Sequence, residues 1–352
     1  MHHTVDLSFQ CTQSVIEAHS FTSFLELHFI IADMSVTFGG GMWIWQSAEL
    51  LASANEIADL MTASAAAQIT DLYLYTPPGS YSDRKRDLQP FIANATAADI
   101  RPKTELSYLL ILLHLFDLDD AAGPTKFLQG IEDLIDYNQA VSANERFVGL
   151  QADIEPQDQG AYTTFHNGIP DDGLSTAPGS GVWQSTEALD REMLMRNWLT
   201  IHQSASDLLH RQDLQLSAAM PFWTETYNGS PVQVNFPSSA DTRQSVMKFM
   251  MPLLDEYIVM SYNTDPANAA NRVGAQATYA STLPAGKRPL VYAAMEVSPN
   301  VGETVSYGDT SGKNSKSVVL RDKARIEEIL GGQEAFAGVA IHHWSAWKDM
   351  PE

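Results

Sequence analysis

Short apolar segments alternate with amphipathic segments along the chain from about residue 40 to the C-terminus. In the first amphipathic segment, Leu50, Ile57 and Leu60 recur at helical spacing, and Ser47 is a suitable N-cap for that helix. Strand-like and helix-like segments that follow one another in this way predict a parallel α/β fold.

The alternation predicts strands and helices in turn. The strands are expected at residues 42–45, 69–75, 100–106, 147–154, 214–222, 257–262, 289–295 and 338–344. The helices are expected at residues 47–65, 88–98, 125–141, 186–210, 240–254, 268–282 and 317–330. A further apolar run, residues 108–116, has no obvious place in this order.

Eight strands with intervening helices in a chain of 352 residues predict a (β/α)₈ TIM barrel. We expect a single barrel domain over residues 39–352 and an irregular N-terminal extension over residues 1–38. The alternative is a doubly wound open sheet, which usually has a glycine-rich turn after its first strand. Here that turn is Trp45-Gln46-Ser47, without glycine, and the barrel is favoured.

Composition and charge restrict the class of partner. Hydrophobic residues make up 44% of the chain and charged residues 18%, which is enough apolar material for a large core. The net charge of −22 argues against binding to nucleic acid or to an anionic membrane surface. The single cysteine, Cys11, allows neither an intrachain disulfide nor a Cys/His zinc cluster, and we expect no metal and no cofactor. The oligomeric state is left open.

The N-terminal segment gives little sign of a targeting signal. Residues 21–32 are apolar, but Glu26 and His28 interrupt them and no basic residue precedes them within the chain. This is a poor signal peptide, so an intracellular location is slightly favoured. No apolar run reaches the length of about 18 to 20 residues that a membrane span requires. Met34 is a candidate alternative start.

In barrels of this type, the reactive groups follow the ends of the strands. Carboxylates, aromatic rings and amides occur there, and such groups together suit a carbohydrate ligand, because flat rings stack on pyranose faces while polar groups bind hydroxyls. The candidate substrate-binding residues are Trp45, Tyr75, Trp223, Glu225, Asn263, His342 and Trp344. Ordinary packing is an equally good explanation for Trp223 and Trp344, and a hydrogen-bonded core position is a good one for His342.

The strongest chemical feature is the segment from Phe147 to Pro156, in which Asp153 and Glu155 close an apolar strand. Alternation along a strand directs both side chains into the barrel mouth. Two neighbouring carboxylates repel one another, so one of them is expected to hold its proton above its ordinary pKa. A general acid that protonates a glycosidic oxygen needs this property. The alternative is a pair of solvated or salt-bridged loop carboxylates.

This segment resembles the fourth strand of family 18 chitinases, whose pattern is D-G-x-D-x-D-x-E. Gly149, Asp153 and Glu155 match the pattern, while Val148 and Gln151 stand where its first two aspartates would be. The segment 260–263, Met-Ser-Tyr-Asn, is similar to the M-x-Y-D/N of the sixth strand in that family. Residues 338–344 resemble the family's final strand, which ends in a tryptophan beneath the sugar.

The resemblance implies roles for three residues. Glu155 would protonate the leaving oxygen, and Asp153 would orient an N-acetyl group of the substrate. Tyr262 would assist the attack of the acetyl oxygen on the anomeric carbon, so that no nucleophile from the enzyme is needed.

Three alternatives stay open at this point. Glu296 ends the seventh strand and could be a nucleophile opposite Glu155, as in retaining glycosidases, although their fourth-strand glutamate usually follows Asn and here follows Ile154. Val148 and Gln151 suggest a chitinase-like lectin that binds sugar without cleaving it. The third alternative is unrelated lyase or metal-dependent chemistry at the same carboxylates.

Overall fold

The computed structural model describes residues 38–76, 81–107, 122–156, 188–227, 230–237 and 242–352. Eight parallel strands close into a barrel, each paired with the next along the chain and the last paired with the first, so the predicted fold class is confirmed. The strands are β1 (Gly41–Ile44), β2 (Asp71–Tyr75), β3 (Arg101–Ser107), β4 (Gly149–Asp153), β5 (Gln215–Pro221), β6 (Glu256–Met260), β7 (Leu290–Glu296) and β8 (Phe336–His342).

Helices follow the strands in the order that the alternation predicts. They are α1 (Ser47–Leu51), α2 (Ala54–Ala66), α3 (Tyr81–Ala97), α4 (Ala122–Gln139), α5 (Ala188–His210), α6 (Val246–Met250), α7 (Pro266–Thr282), α8 (Lys316–Leu330) and α9 (Trp344–Asp349). The helix expected over 47–65 is interrupted, because Ser53 leaves the helical conformation and its hydroxyl caps α2 by accepting a hydrogen bond from the Glu56 N–H at 3.2 Å.

The helix predicted over 240–254 is wrong in its first half. Arg243–Ser245 pairs antiparallel with Gln233–Asn235, and the α-helix covers only Val246–Met250. A 3₁₀ turn over Met251–Leu253, which contains Pro252, then leads to the next strand. The same apolar spacing is compatible with one long helix or with a strand followed by a short helix. The pairing of Arg243–Ser245 with Gln233–Asn235, which the spacing does not predict, selects the strand.

Alternation along the strands separates two cores. On β4, the buried side chains of Leu150 and Ala152 pack with the residues between barrel and helices, as does Ile154 just beyond the strand. The other face of the strands lines the barrel interior, where Trp43 and Tyr73 belong to a second apolar cluster. The carboxyl-terminal residues of this inner face therefore form the mouth of the barrel.

A buried ionic cluster occupies the inner face of β2, β3 and β6. Lys103 is fully buried, and its Nζ lies 2.6 Å from both Asp71 Oδ1 and Glu256 Oε1. Ser217 Oγ donates to Glu256 Oε2 at 2.6 Å, and Arg101 Nη2 to Asp71 Oδ2 at 2.6 Å. Because these charges are satisfied by one another, the cluster has a structural role, and Lys103 is not available to pair with carboxyls elsewhere in the barrel.

Gly338 is required where β8 meets the segment before β1. Its φ is +141°, and a Cβ atom there would lie 1.9 Å from the carbonyl oxygen of Gly39. Any side chain would separate the first and last strands, so this glycine permits closure of the barrel at that point.

Two expectations concern residues that the structure does not describe. The predicted N-terminal extension, apart from Phe38, and the apolar run at 108–116 lie outside the described residues. Phe38 packs on Phe336 with ring centroids 5.6 Å apart. Among the described residues, no helix has both the length and the apolar character needed to cross a membrane.

Candidate active site

Asp153 and Glu155 enter the barrel mouth from β4. Asp153 is the last residue of the strand, Glu155 follows two residues later, and both are partly exposed, whereas Ile154 between them is fully buried in the outer core. Both carboxyls act electrostatically on the phenol of Tyr262, where each raises the pKa. The two acids and the tyrosine therefore share one polar space.

Tyr262 is held in that space by its neighbours in the chain and by α7. Ser261 Oγ donates to the carbonyl of Ala294 at 3.0 Å and accepts from its N–H at 3.1 Å, which ties the end of β6 to β7. Arg272 Nη1 donates to the Tyr262 carbonyl at 2.6 Å. These bonds fix the backbone of Tyr262 from both sides.

Tyr262 is kept as a neutral phenol. Burial raises its pKa well above the ordinary value, and the carboxyls of Glu296, Glu155, Asp153 and Glu105 raise it further. Its hydroxyl therefore carries a proton throughout the physiological range and can donate a hydrogen bond. Four carboxyls therefore act on this one phenol.

Glu296, at the end of β7, has both carboxylate oxygens engaged. Oε2 lies 2.6 Å from His342 Nδ1, and Oε1 accepts from the N–H of Ser298 at 2.7 Å. Burial alone would raise the pKa of Glu296, but the contacts with His342 and Ser298 hold it below the ordinary value. Glu296 is therefore an ionised, fully bonded carboxylate.

The other nitrogen of His342 faces Trp45. The Trp45 indole Nε1 donates to His342 Nε2 at 2.8 Å, and an indole N–H can only donate. Nε2 must therefore accept, so His342 is neutral with its proton on Nδ1, from which it donates to Glu296. A chain of hydrogen bonds runs from Trp45 through His342 to Glu296.

Aromatic rings surround this chain. The ring of Trp45 lies 5.9 Å from that of Tyr75 and 5.8 Å from that of His342, while Tyr262 lies 5.9 Å from His342. Trp43, on the same strand face as Trp45, lies 5.6 Å from His342. Of the predicted binding residues, the structure thus brings Trp45, Tyr75 and His342 together with Tyr262.

Glu105, on β3, belongs to this site and was missed in the sequence analysis. Its side chain is fully buried, and its carboxyl is close enough to Asp153 and Tyr262 to interact with both electrostatically. The available signal was the alternation of Lys103 and Glu105 in the third strand, since charged residues two apart in a barrel strand face the interior.

Glu225 and Asn263 lie apart from this cluster. They line an open groove of about 450 Å³ between the end of β5 and α7. Phe222 and Arg272 also line it, with the guanidinium 4.5 Å from the ring centroid. Through Arg272, this groove adjoins the backbone of Tyr262.

Two predicted sugar platforms are not at the mouth. Trp223 is fully buried and Trp344 is 4% exposed, and both pack in the core between barrel and helices. Strand β5 ends at Pro221, so Trp223 no longer follows the alternation of that strand and turns outward. Strand β8 ends at His342, two residues earlier than expected, and Trp344 turns outward as the first residue of α9. Their positions correspond to ordinary packing, the alternative that the sequence left open for both, and the Trp344 indole donates to Glu56 Oε1 at 3.4 Å.

The site shows no arrangement suited to a metal. Within the described part of the chain, no three or more His, Cys, Asp or Glu side chains are grouped so as to hold an ion. The chemistry available is that of carboxyls, one neutral histidine, one neutral phenol and aromatic faces.

The fold and the site together define a TIM barrel with an acidic, aromatic-lined mouth. No protein-family model and no curated protein matches the chain in sequence. The solved structures to which this chain is similar include a chitinase from Bacteroides thetaiotaomicron, with TM-score 0.47 and 10% identity over 88% of this chain and 90% of that one.

A chitinase from Chromobacterium violaceum is also similar in fold, with TM-score 0.46 and 13% identity over 88% of this chain and 98% of that one. A sugar phosphate isomerase/epimerase from Parabacteroides distasonis has TM-score 0.40 and 11% identity over 88% of this chain and 90% of that one. The order of the eight strands itself defines the TIM barrel of this chain, a fold that enzymes of more than one reaction class share.

Proposed function

We propose that this protein is a glycoside hydrolase that cleaves a neutral or N-acetylated glycan, with Glu155 as the general acid. The observation that carries the proposal is the convergence of Asp153, Glu155 and the neutral phenol of Tyr262 in one mouth. Trp45 and Tyr75 stand beside them as surfaces on which a sugar ring can stack.

The arrangement favours assistance by the substrate over a covalent intermediate on Glu296. Both oxygens of Glu296 already accept hydrogen bonds, one of them from His342. In the proposed reaction, the acetamido oxygen attacks the anomeric carbon as the bond from that carbon to the leaving oxygen breaks, and Glu155 donates its proton to the leaving oxygen. Water then attacks the anomeric carbon and displaces the acetamido oxygen, and the Glu155 carboxylate takes up the proton that the water loses. The Asp153 carboxylate accepts the hydrogen bond of the acetamido N–H, and the Tyr262 hydroxyl donates to the acetamido oxygen.

The experiment compares hydrolysis of chito-oligosaccharides and neutral oligosaccharides by the wild type and Glu155→Gln. The variant is expected to lose at least about a hundredfold in kcat while binding glycans as before, because Gln cannot donate the proton. Glu132→Gln, an exposed site on α4, is the matched control and should hydrolyse at the wild-type rate. An unchanged rate in Glu155→Gln would refute the role of general acid.

Substrate assistance has its own test. A chito-oligosaccharide and its deacetylated counterpart differ only in the acetyl group that would attack. Loss of turnover on deacetylation, with Glu296→Gln retaining a measurable rate, is the expected result. Equal turnover of both substrates, together with inactive Glu296→Gln, would point to Glu296 as nucleophile instead.

A second candidate function is carbohydrate binding without cleavage. It is favoured by Gln151, whose amide faces the interior where the family 18 pattern has a carboxylate. Both polar atoms of that amide are buried and have no hydrogen-bond partner among the described residues. Binding on a glycan array without turnover of any bound glycan would support this candidate.

A further inference from the structure

The surroundings of the Glu105 carboxyl disfavour its ionised form. Its side chain is fully buried, and neither oxygen has a hydrogen-bond partner among the residues that the structure describes. A carboxylate without a donor or a counter-ion is strongly disfavoured in such a place, and the usual response is to retain the proton.

Among the described residues on the three strands β2, β3 and β4, no free cation faces Glu105 to stabilise its ionised form. On its own strand, Lys103 is committed to Asp71 and Glu256 in the ionic cluster. Tyr75 on β2 and Gln151 on β4 are its partners in strand register, and neither is a cation.

The remaining titratable neighbours are acids. Asp153 lies further along β4 on the same face, and the Tyr262 phenol faces Glu105 from the end of β6. Burial, and then the charge of Asp153, raise the pKa of Glu105 well above its ordinary value. Two acids this close hold one negative charge between them more readily than two.

We propose that Glu105 is a positioning residue for Asp153: a neutral carboxylic acid, buried below it on the neighbouring strand in register with Gln151, that leaves the single negative charge of the pair on Asp153. No proton leaves the pair during this function. It stays on the Glu105 carboxyl while Asp153 remains the hydrogen-bond acceptor. The inference rests on the proposed function in one respect: an ionised Asp153 would be the acceptor for the acetamido N–H of the substrate.

The first test needs no substrate. Infrared difference spectra of wild type against Glu105→Gln at neutral pH should contain the carbonyl band of a protonated carboxylic acid, assigned to Glu105. Glu256→Gln is the matched control, because Glu256 is an equally buried interior glutamate that is paired with Lys103, and its difference spectrum should contain carboxylate bands.

The coupling to Asp153 is tested in the same way. Asp153→Asn removes the anionic neighbour, so the protonated-acid band of Glu105 should titrate away at a lower pH than in the wild type. Absence of the acid band in the wild type, or identical titration in both proteins, would overturn the proposal. These results do not depend on whether the protein is a hydrolase.

Turnover provides the second readout. Glu105→Gln keeps an uncharged polar side chain of the same size and should retain kcat within about threefold near neutral pH, while losing the alkaline limb that ionisation of Glu105 produces. Glu105→Leu replaces the carboxylic acid by an apolar side chain beside the charge of Asp153 and should lower kcat by about tenfold or more with little change in KM.

Equal pH profiles in the wild type and Glu105→Gln, or wild-type kcat in Glu105→Leu, would contradict a positioning role. Circular dichroism and thermal unfolding of both variants separate a loss of fold from a loss of function. Should no substrate be hydrolysed by the wild type, the infrared titration still decides whether Glu105 is the neutral acid of the pair.

Discussion

His342 Nδ1 lies 2.6 Å from Glu296 Oε2, and this contact joins the end of β8 to the end of β7. Because Trp45 donates to the opposite nitrogen, the imidazole is locked in one tautomer. The pair orders the side of the mouth opposite β4, and it keeps Glu296 ionised next to Tyr262.

Replacement of Trp45 by Phe tests this lock. Without the indole N–H, Nε2 of His342 loses the donor that makes it the acceptor nitrogen, so the single tautomer should no longer be enforced. The ¹⁵N chemical shifts of His342 should show a protonated Nδ1 and an unprotonated Nε2 in the wild type, and this pattern should be lost in the variant. We also expect a loss of about 0.5–1.5 kcal/mol in the free energy of unfolding. Identical ¹⁵N shifts in both proteins would mean that the indole does not set the tautomer.

Glu296→Gln should change how stability depends on acid pH. The pKa of Glu296 is lowered by folding, so its contribution is fully present above its unfolded pKa of about 4.3 and is lost as the pH falls through the lower folded value. The variant should therefore be less stable than the wild type at neutral pH, by about 1.5–3 kcal/mol, with the difference shrinking in acid. Urea unfolding at a series of pH values measures this. A constant difference across the series would speak against the lowered pKa.

Glu105→Gln should show the opposite sign. The pKa of Glu105 is raised by folding, so its contribution is fully present below the unfolded value of about 4.3 and is lost as the pH rises through the folded value. The wild type should thus lose stability relative to the variant as the pH rises from mildly acidic values, which urea unfolding at a series of pH values measures. Parallel stability curves for the two proteins would be inconsistent with a retained proton on Glu105.

Gly338→Ala should destabilise the barrel at its closure. The new Cβ would meet the Gly39 carbonyl, and the positive φ alone costs about 1–3 kcal/mol for a residue with a side chain. Gly332→Ala is the matched control, because a Cβ there meets nothing within 4 Å, and it should change the free energy of unfolding by less than about 0.5 kcal/mol. Similar unfolding midpoints for the two variants would show that β1 and β8 can adjust to a side chain at position 338.

The sequence by itself determined the fold class and the inward direction of Asp153, because the alternation of apolar and polar residues is a local property of each strand. It also placed Glu296 and His342 at strand ends, where the structure finds them.

Local pattern could not determine where a strand stops, and so it could not decide between a sugar platform and ordinary packing for Trp223 and Trp344, which follow the ends of β5 and β8 and pack in the outer core. Nor could it show that Glu105 lies near Asp153, since the two are on different strands and their proximity depends on how β3 and β4 pair. The bonds that hold His342 between Trp45 and Glu296 likewise arise from barrel closure, which brings residues far apart in the chain to within hydrogen-bonding distance. Tertiary structure decided these features because the charge state and tautomer of a side chain depend on its neighbours in space.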